Sequence, residues 1–340
     1  MKVLFLVPRL DKASTRYRVL QYLPFLEQAG IVCAVRPLSG KTVGWISLGA
    51  EISRADVVFV QKKLLNGPVW HFISALSRRL IFDFDDAIML KESETDFSSR
   101  CRQFRRFAGT VRRVDLVVCG NRYLAENTAA LNGNLQILPT VIDEQRYRPR
   151  QCKPVRNEKG NLVIGWMGSR TNLPYLQEIV PQLQAACQAV PGTRFKIVSD
   201  AFLDFKDVEV IKKPWRSEEE ISDLESFDIG IMPLPDTPWC RGKCGFKLIQ
   251  YMAVGTPVVC SPVGVNAEIV TDGREGFWAR RPEEWVERLV RLLKDRDLRQ
   301  TMGNLGRETI VRRFSLQANA DRLIELLRNL AAEPEERVSQ

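Results

Sequence analysis

Short apolar runs alternate with amphipathic stretches along this chain, the pattern of βαβ units around a parallel sheet. In the first half, strands are expected at Lys2–Val7, Cys33–Pro37, Val57–Gln61, Leu80–Phe84, Leu116–Cys119 and Leu135–Leu138. Helical periodicity falls between them at Arg16–Gln28, Val69–Arg79, Phe97–Arg113 and Asn121–Leu131, with Gly30 as a C-cap after the first. A polar stretch without apolar period, Arg148–Asn161, contains Pro149, Pro154 and Gly160 and reads as a linker. A second set comes after it, with strands at Leu162–Trp166, Phe195–Val198, Val208–Ile211, Ile229–Met232 and Pro257–Cys260. Its helices are expected at Leu173–Val190, Ser217–Phe227, Phe246–Val254, Glu283–Asp295, Asp297–Phe314 and Leu316–Leu330, with a frayed tail at Glu333–Gln340. The pattern predicts an α/β chain of two doubly wound parallel-sheet domains facing each other across a cleft. They span 1–150 and 160–314, and a closing helix over 315–332 is expected to pack back on the first. Ligands in such folds bind outside the carboxyl ends of the strands, so functional residues should come directly after strands.

Composition narrows the class. The 340 residues carry 50 Lys+Arg and 41 Asp+Glu, a net charge of +9. Residues 1–150 hold 23 basic and 14 acidic side chains, whereas the remainder is neutral, so the two halves are expected to face different partners. With 45% hydrophobic and 27% charged residues the chain is globular rather than disordered. No apolar run approaches the roughly 18 residues of a membrane-spanning helix, and the apolar N-terminus breaks at Pro8-Arg9. Eight scattered cysteines point to a reducing cytosol. Cys240 and Cys244 are the only close pair and the chain has one His, so no metal site is expected.

The most informative segment runs from Arg241 to Val259: a basic loop with Gly242, Lys243 and Gly245, a short helix, Gly255, then a buried strand. A helix start beside Gly and Lys offers N–H groups and positive charge to a phosphate, although a solvated loop ahead of a core helix fits the residues equally. Phe246–Val259, ending Met-Ala-Val-Gly-Thr-Pro-Val-Val, resembles the donor-site helix of GT-B fold glycosyltransferases of family 4. Leu162–Ser169 resembles that family's glycine-rich first strand and loop, and Phe227–Leu234 the strand before the donor helix. Ser261–Gly264 with Asn266–Val270 resembles the family's segment after that helix and strand, and Pro139–Asp143 the end of the acceptor domain.

The resemblance implies a nucleotide-sugar donor bound by the second domain, without metal or other cofactor. It assigns donor binding to Gly168, Ser169, Arg170, Lys243, Gly245, Phe246, Lys247 and Gln250. Two family glutamates eight positions apart correspond here to Gly242 and Gln250. Gln250 keeps hydrogen-bonding capacity toward ribose hydroxyls, whereas Gly242 offers no side chain to a sugar. Lys243 and Lys247 are then the cations expected at the diphosphate. Asn172 reads as the N-cap of the Leu173–Val190 helix.

In the first half, the loop Pro8–Arg18 stands where the family has a glycine-rich loop near the reacting groups. Ser14 or Thr15 is expected to cap the helix after it. Arg16 and Arg18 at that helix start point to an anionic ligand, because positive charge there opposes the helix dipole. Ser14, Thr15, Arg16 and Arg18 form the expected acceptor side, with Gln61-Lys62-Lys63 lining it. Asp83, Asp85 and Asp86 end a buried strand where the family often has a sugar-contacting His. Clustered carboxylates should raise one another's pKa, so Asp85 or Asp86 is expected to accept the acceptor hydroxyl's proton, or to orient that hydroxyl or the sugar. Asp85, Asp86 and Lys247 are thus the catalytic candidates; a helix cap with an Arg partner is the structural alternative for the carboxylates.

The stretch Phe97–Arg113 has six Arg and no acid, with Phe97, Cys101, Phe104, Phe107 and Val111 at helical spacing. A basic face beside an aromatic one suits an anionic membrane surface, while the same stripe also suits a domain core. The function implied is a retaining, metal-independent hexosyltransferase-type enzyme of polysaccharide biosynthesis. It is expected to be cytoplasmic and peripheral at the membrane, with a glycan or lipid-linked acceptor. The alternatives are a catalytically silent nucleotide- or glycan-binding protein on the same fold and, more distantly, a nucleic-acid binder. No nucleic-acid motif is present, so no nucleic-acid partner is expected.

Overall fold

The computed structural model describes residues 1–38, 44–90, 97–149 and 162–332, the side chain of Phe97 excepted. The chain forms two compact units. Unit 1 comprises Met1–Val141, Arg241–Cys244 and Leu316–Gln340, and unit 2 comprises Ile142–Cys240 and Gly245–Ser315. The chain thus leaves unit 1 after Val141, ahead of the polar stretch read as a linker. That stretch, from residue 150 on, and the tail at 333–340 lie outside the described residues.

Unit 1 is built on six parallel strands: β1 (Lys2–Val7), β2 (Val32–Pro37), β3 (Val57–Gln61), β4 (Leu80–Phe84), β5 (Leu116–Cys119) and β6 (Leu135–Ile137). Their spatial order is β2-β1-β3-β4-β5-β6. The central strands β3, β4 and β5 are buried throughout, which is why they read as nearly continuous apolar runs, interrupted only by Gln61 at the end of β3 and Asp83 within β4. One face packs Val3, Phe5, Val57 and Phe59 against Tyr22 and Leu26, and against Leu323, Leu327 and Leu330 of the helix Leu316–Ala332. The connections run outward in opposite directions from β1 and β3, which makes the crevice between their carboxyl ends a topological switch point.

The helix expected at Arg16–Gln28 is three pieces: Ala13–Arg18, a 3-10 turn at Leu20–Tyr22, and Leu23–Gln28. Pro24 opens the last of them, where a missing N–H costs nothing. Asn66 caps the helix Gly67–Leu76 by accepting from Val69 N–H, and Asn121 caps Arg122–Glu126 by accepting from Leu124 N–H. The helix Trp45–Arg54 was not anticipated from the sequence.

Unit 2 has its own six-stranded parallel sheet: β7 (Val163–Met167), β8 (Arg194–Ser199), β9 (Val210–Pro214), β10 (Ile229–Met232), β11 (Val258–Cys260) and β12 (Gly276–Trp278). The spatial order β12-β11-β10-β7-β8-β9 places its switch point between β7 and β10. Alternate residues of each strand face opposite layers. On one side Val163, Met167 and Met232 meet Leu248, Ile249, Tyr251 and Met252 of the helix Phe246–Ala253. On the other, Ile164, Ile197 and Ile231 meet Leu183 of the helix Val180–Ala189 and Trp285 and Leu289 of Pro282–Lys294. The single helix expected at Leu173–Val190 breaks into Leu173–Gln177 and Val180–Ala189, with Pro181 in the first turn of the second.

Candidate functional site

In unit 2, the end of β7 and the start of the Phe246–Ala253 helix meet at the switch point. Gly245 precedes that helix at φ +66, a left-handed conformation that glycine adopts without strain. A β-carbon there would lie 2.4 Å from Ile269 Cδ1, so space also demands glycine. One turn farther on, Tyr251 fixes helix to strand: Met167 N–H donates to its hydroxyl oxygen at 2.9 Å. Burial pushes that hydroxyl's pKa upward and leaves it protonated at neutral pH. The next residue, Gly168, leaves room for two neighbours: a β-carbon on it would lie 2.6 Å from the Trp166 ring and 2.8 Å from Lys247 Cε. Lys247 Nζ stands 5.8 Å from the Trp166 ring centroid, within cation–π range.

A glycine backbone, an ammonium and a helix N-terminus thus converge at the carboxyl end of β7, an arrangement that favours a diphosphate. Ser169 and Arg170 are exposed beside it. Arg170 N–H donates to Asp200 Oδ1 at 2.6 Å and holds the Asp200 carboxyl below its ordinary pKa. Phe246 is half-buried against the core, and Gln250 is buried one turn along. Asn172 does not cap its helix as expected; its amide donates to Ser169 Oγ at 3.0 Å and steadies the loop. A concavity of about 480 Å³ lies at the ends of β10, β11 and β12, lined by Glu178, Gln182, Asp236, Arg280 and Trp285 among others. None of the expected donor residues lines it.

Lys243 falls in unit 1 with the rest of Arg241–Cys244. There the Asn121 amide donates to the carbonyls of Gly242 (3.3 Å) and Lys243 (3.1 Å) while its oxygen caps the next helix. A β-carbon at Gly242 would lie 2.5 Å from Ala87 Cβ and 3.1 Å from Ala87 N. The close approach explains why no glutamate stands at this position: any side chain would force the loop off Ala87.

The rest of the unit 1 site differs from the sequence reading in three respects. Neither Ser14 nor Thr15 caps the first helix, which starts after Lys12; Thr15 is buried and its hydroxyl donates to Gln61 Oε1 at 3.1 Å. Arg18 does not present itself to an anionic ligand. It is 2% exposed, pairs with both oxygens of Asp83 and donates to Leu138 O at 2.6 Å. It is the last residue of the helix Ala13–Arg18, not the start of one, and its charge is met by a buried carboxylate. Arg16 stacks over the Tyr17 ring, 4.3 Å from its centroid, and bonds the same residue's hydroxyl.

The third difference concerns the carboxylates. Lys62 Nζ lies 2.8 Å from Asp85 Oδ1 and also bonds Asp86 Oδ2. Burial raises the pKa of Asp85, but Lys62 and then Arg18 outweigh it and hold the carboxyl below its ordinary value, not above it as clustering alone predicts. Stability linked to Asp85 is therefore present at neutral pH and lost as pH falls below the carboxylate range. Sequence reasoning named Lys62 only as lining; its bridging position depends on a turn that no motif announces. Trp215, just past β9, was missed altogether. The residue is 43% exposed, and its indole N–H donates to the buried Glu220 at 3.0 Å. Among the described residues no cluster of three or more His, Cys, Asp or Glu could hold a metal ion, and no helix is long and apolar enough to cross a membrane.

Residues 159–295 match the family described as Glycosyl transferases group 1. The chain is 31% identical over 126 residues to the D-inositol 3-phosphate glycosyltransferase of Corynebacterium urealyticum, covering 36% of this chain and 28% of that protein. It is 25% identical over 240 residues to an uncharacterized glycosyltransferase of Methanocaldococcus jannaschii, covering 66% and 60%. The matches thus span less than two thirds of these relatives' own lengths. Sucrose-phosphate synthase from Thermosynechococcus elongatus has a similar fold, with a TM-score of 0.74 at 15% identity over 98% of this chain and 100% of that one. Anabaena Alr3699/HepE in complex with UDP and glucose gives 0.69 at 18% identity, covering 97% and 100%. Residues 159–295 thus resemble the glycosyl transferases group 1 family, and the two six-stranded parallel sheets of the chain match the fold of GT-B glycosyltransferases.

Proposed function

We propose that this chain transfers a glycosyl group from a nucleotide diphosphate sugar to an acceptor hydroxyl, with retention and without a metal ion. The observation that carries this reading is the contact of Gly168 with Lys247 at the unit 2 switch point, where N–H groups and an ammonium can hold a diphosphate. On this reading Lys247, with Arg170, stabilises the charge that develops on the departing diphosphate. Gln250 offers hydrogen bonds to the ribose. Asp85 and Asp86 serve the hydroxyl side.

Trp215 extends the donor site. Strands stand about 4.8 Å apart, so the end of β9 lies about 10 Å from the end of β7 along the sheet. That offset suits a base two strands away from its diphosphate. Trp215 N–H donates to Ser199 O at 3.2 Å, and Glu220, which also accepts from the Tyr147 hydroxyl, holds the indole edge so that the ring stays presented. Thermal-shift screening of UDP-, GDP- and ADP-glucose is expected to give stabilisation by one base class, and turnover with that sugar in a subsequent assay. Trp215→Ala is expected to weaken UDP or its selected counterpart about tenfold in calorimetry, within the range of base stacking, and to leave inorganic diphosphate unaffected. Inverted product stereochemistry would overturn retention. Binding without turnover would favour the silent glycan-binding alternative.

The helix Phe97–Val111 and the two residues after it support a lipid-linked acceptor at an anionic surface. Phe107 and Val111 face the core, whereas Phe104 is 47% exposed beside the exposed Arg102, Arg105 and Arg106, with Arg112 and Arg113 exposed beyond. An aromatic wedge ringed by arginines suits phospholipid headgroups. Replacing Arg105, Arg106, Arg112 and Arg113 by Glu is expected to abolish cosedimentation with phosphatidylglycerol vesicles while neutral vesicles show no binding to either protein.

A further inference from the structure

At the unit 1 switch point, β3 ends on Gln61, which is fully buried and bonded to Thr15. Lys62 comes next at φ 56. Lys63 N–H donates back to Gln61 O at 2.7 Å, closing a left-handed γ-turn around Lys62, and Lys62 N–H donates to Asp83 O at 2.6 Å. In that conformation the β-carbon crowds the backbone, and glycine or asparagine is the residue expected. A lysine held there implies that its side chain matters more than the local strain. Its ammonium reaches the carboxylates of both Asp85 and Asp86, just past the neighbouring strand β4.

Among the ion pairs of the described residues, Asp83 meets Arg18, and Asp85 and Asp86 share Lys62. Asp83 pairs with Arg18 and is buried, as is Asp85, whose other oxygen is 3.4 Å from the Thr140 hydroxyl. Asp86 is the exposed member, its side chain 32% accessible. Of the three carboxylates, Asp86 is thus the one that a ligand can reach.

We infer that Lys62 is a positioning residue that fixes the orientation of the Asp85 and Asp86 carboxylates, so that this pole grips an uncharged hydroxyl and repels a phosphate. An ionised carboxylate accepts a hydrogen bond from an O–H donor, and like charge disfavours an anion beside it. The hydroxyl belongs either to the acceptor or to the sugar being transferred. The inference rests on the glycosyltransferase reading above and adds the ligand class of its unit 1 side.

The test uses the full chain and whichever of UDP-, GDP- or ADP-glucose the screen selects, with octyl β-glucoside as acceptor probe. Lys62→Gly and Lys62→Asn remove the ammonium while accepting the left-handed backbone; Lys62→Arg keeps the charge. Both neutral variants are expected to lose at least tenfold in kcat. The acid limb of their kcat/KM profile is expected to move up by about one pH unit or more, because Asp85, left with Arg18 as its nearest cation and with Asp83 and Asp86 opposing, then protonates more easily. Lys62→Arg should keep the limb in place. Neutral variants that fold, melt differently and yet keep the wild-type limb and kcat would reduce Lys62 to a structural part and overturn the inference alone. A wild-type chain that turns over none of the three sugars overturns the glycosyltransferase reading and this inference with it. Asp86→Asn then assigns the hydroxyl: a raised KM for octyl β-glucoside places it on the acceptor, and a raised KM for the nucleotide sugar places it on the transferred residue.

Discussion

Arg18→Met is expected to destabilise the chain by about 3–5 kcal/mol, the range for breaking a buried ion pair by removing one partner. Arg18 and Asp83 are 2% and 1% exposed, so no water replaces the lost guanidinium. The Leu138 carbonyl loses its donor as well. With Arg18 gone, burial pushes the Asp83 carboxyl further above its ordinary pKa, so the penalty should fade as pH drops and grow as pH rises through that raised value. Urea titrations at pH 5 and pH 8 check the sign. The double variant Arg18→Met with Asp83→Leu should recover most of the loss, because an apolar pair of similar volume can replace a buried ion pair at little cost. A single variant as stable as wild type at both pH values would mean that water reaches Asp83.

Lys247→Met is expected to lower kcat/KM for the nucleotide sugar about 10²–10³-fold, the usual effect of removing one group that stabilises developing charge. Methionine keeps the aliphatic packing against Gly168 and Trp166, so the melting temperature should move little. The loss should fall mainly on kcat, since charge on the leaving diphosphate grows toward the transition state. A change confined to KM would make Lys247 a ground-state binding residue and shift the catalytic role elsewhere.

Both residues are visible in the sequence, and for Arg18 the structure overturns the expectation. Lys247 sits in a short motif in which every local feature agrees: a glycine, a basic turn, then a helix with one apolar face. Arg18 carried the same kind of signal, a cation near a helix start, and its partner Asp83 lies 65 residues away on another strand. Local charge arguments assume solvent, and tertiary burial reversed their meaning. The strands β1, β3, β4, β5 and β10 are legible to the residue because a strand buried on both faces is a nearly continuous apolar run, with polar residues here only at Lys2, Gln61 and Asp83. β12 has only three residues, and in Trp45–Arg54 the buried face carries Gly49 where periodicity expects an apolar side chain. Prolines read as parts of long helices divide them instead at Leu23–Gln28 and Val180–Ala189. Lys62 and Trp215 depend on a backbone dihedral and on exposure, which periodicity does not encode.

The helix Leu316–Ala332 supplies Leu323, Leu327 and Leu330 to the same core as β1 and β3. A ribosome releases β1 some three hundred residues before that helix. Unit 1 therefore cannot finish its core while it is being made, although its strands emerge first. Unit 2, whose segments lie inside that interval, has all of its chain before unit 1 does. Synthesis leaves an open apolar sheet face waiting for its last helix, which is the stage at which this chain is most exposed to aggregation and to holding chaperones.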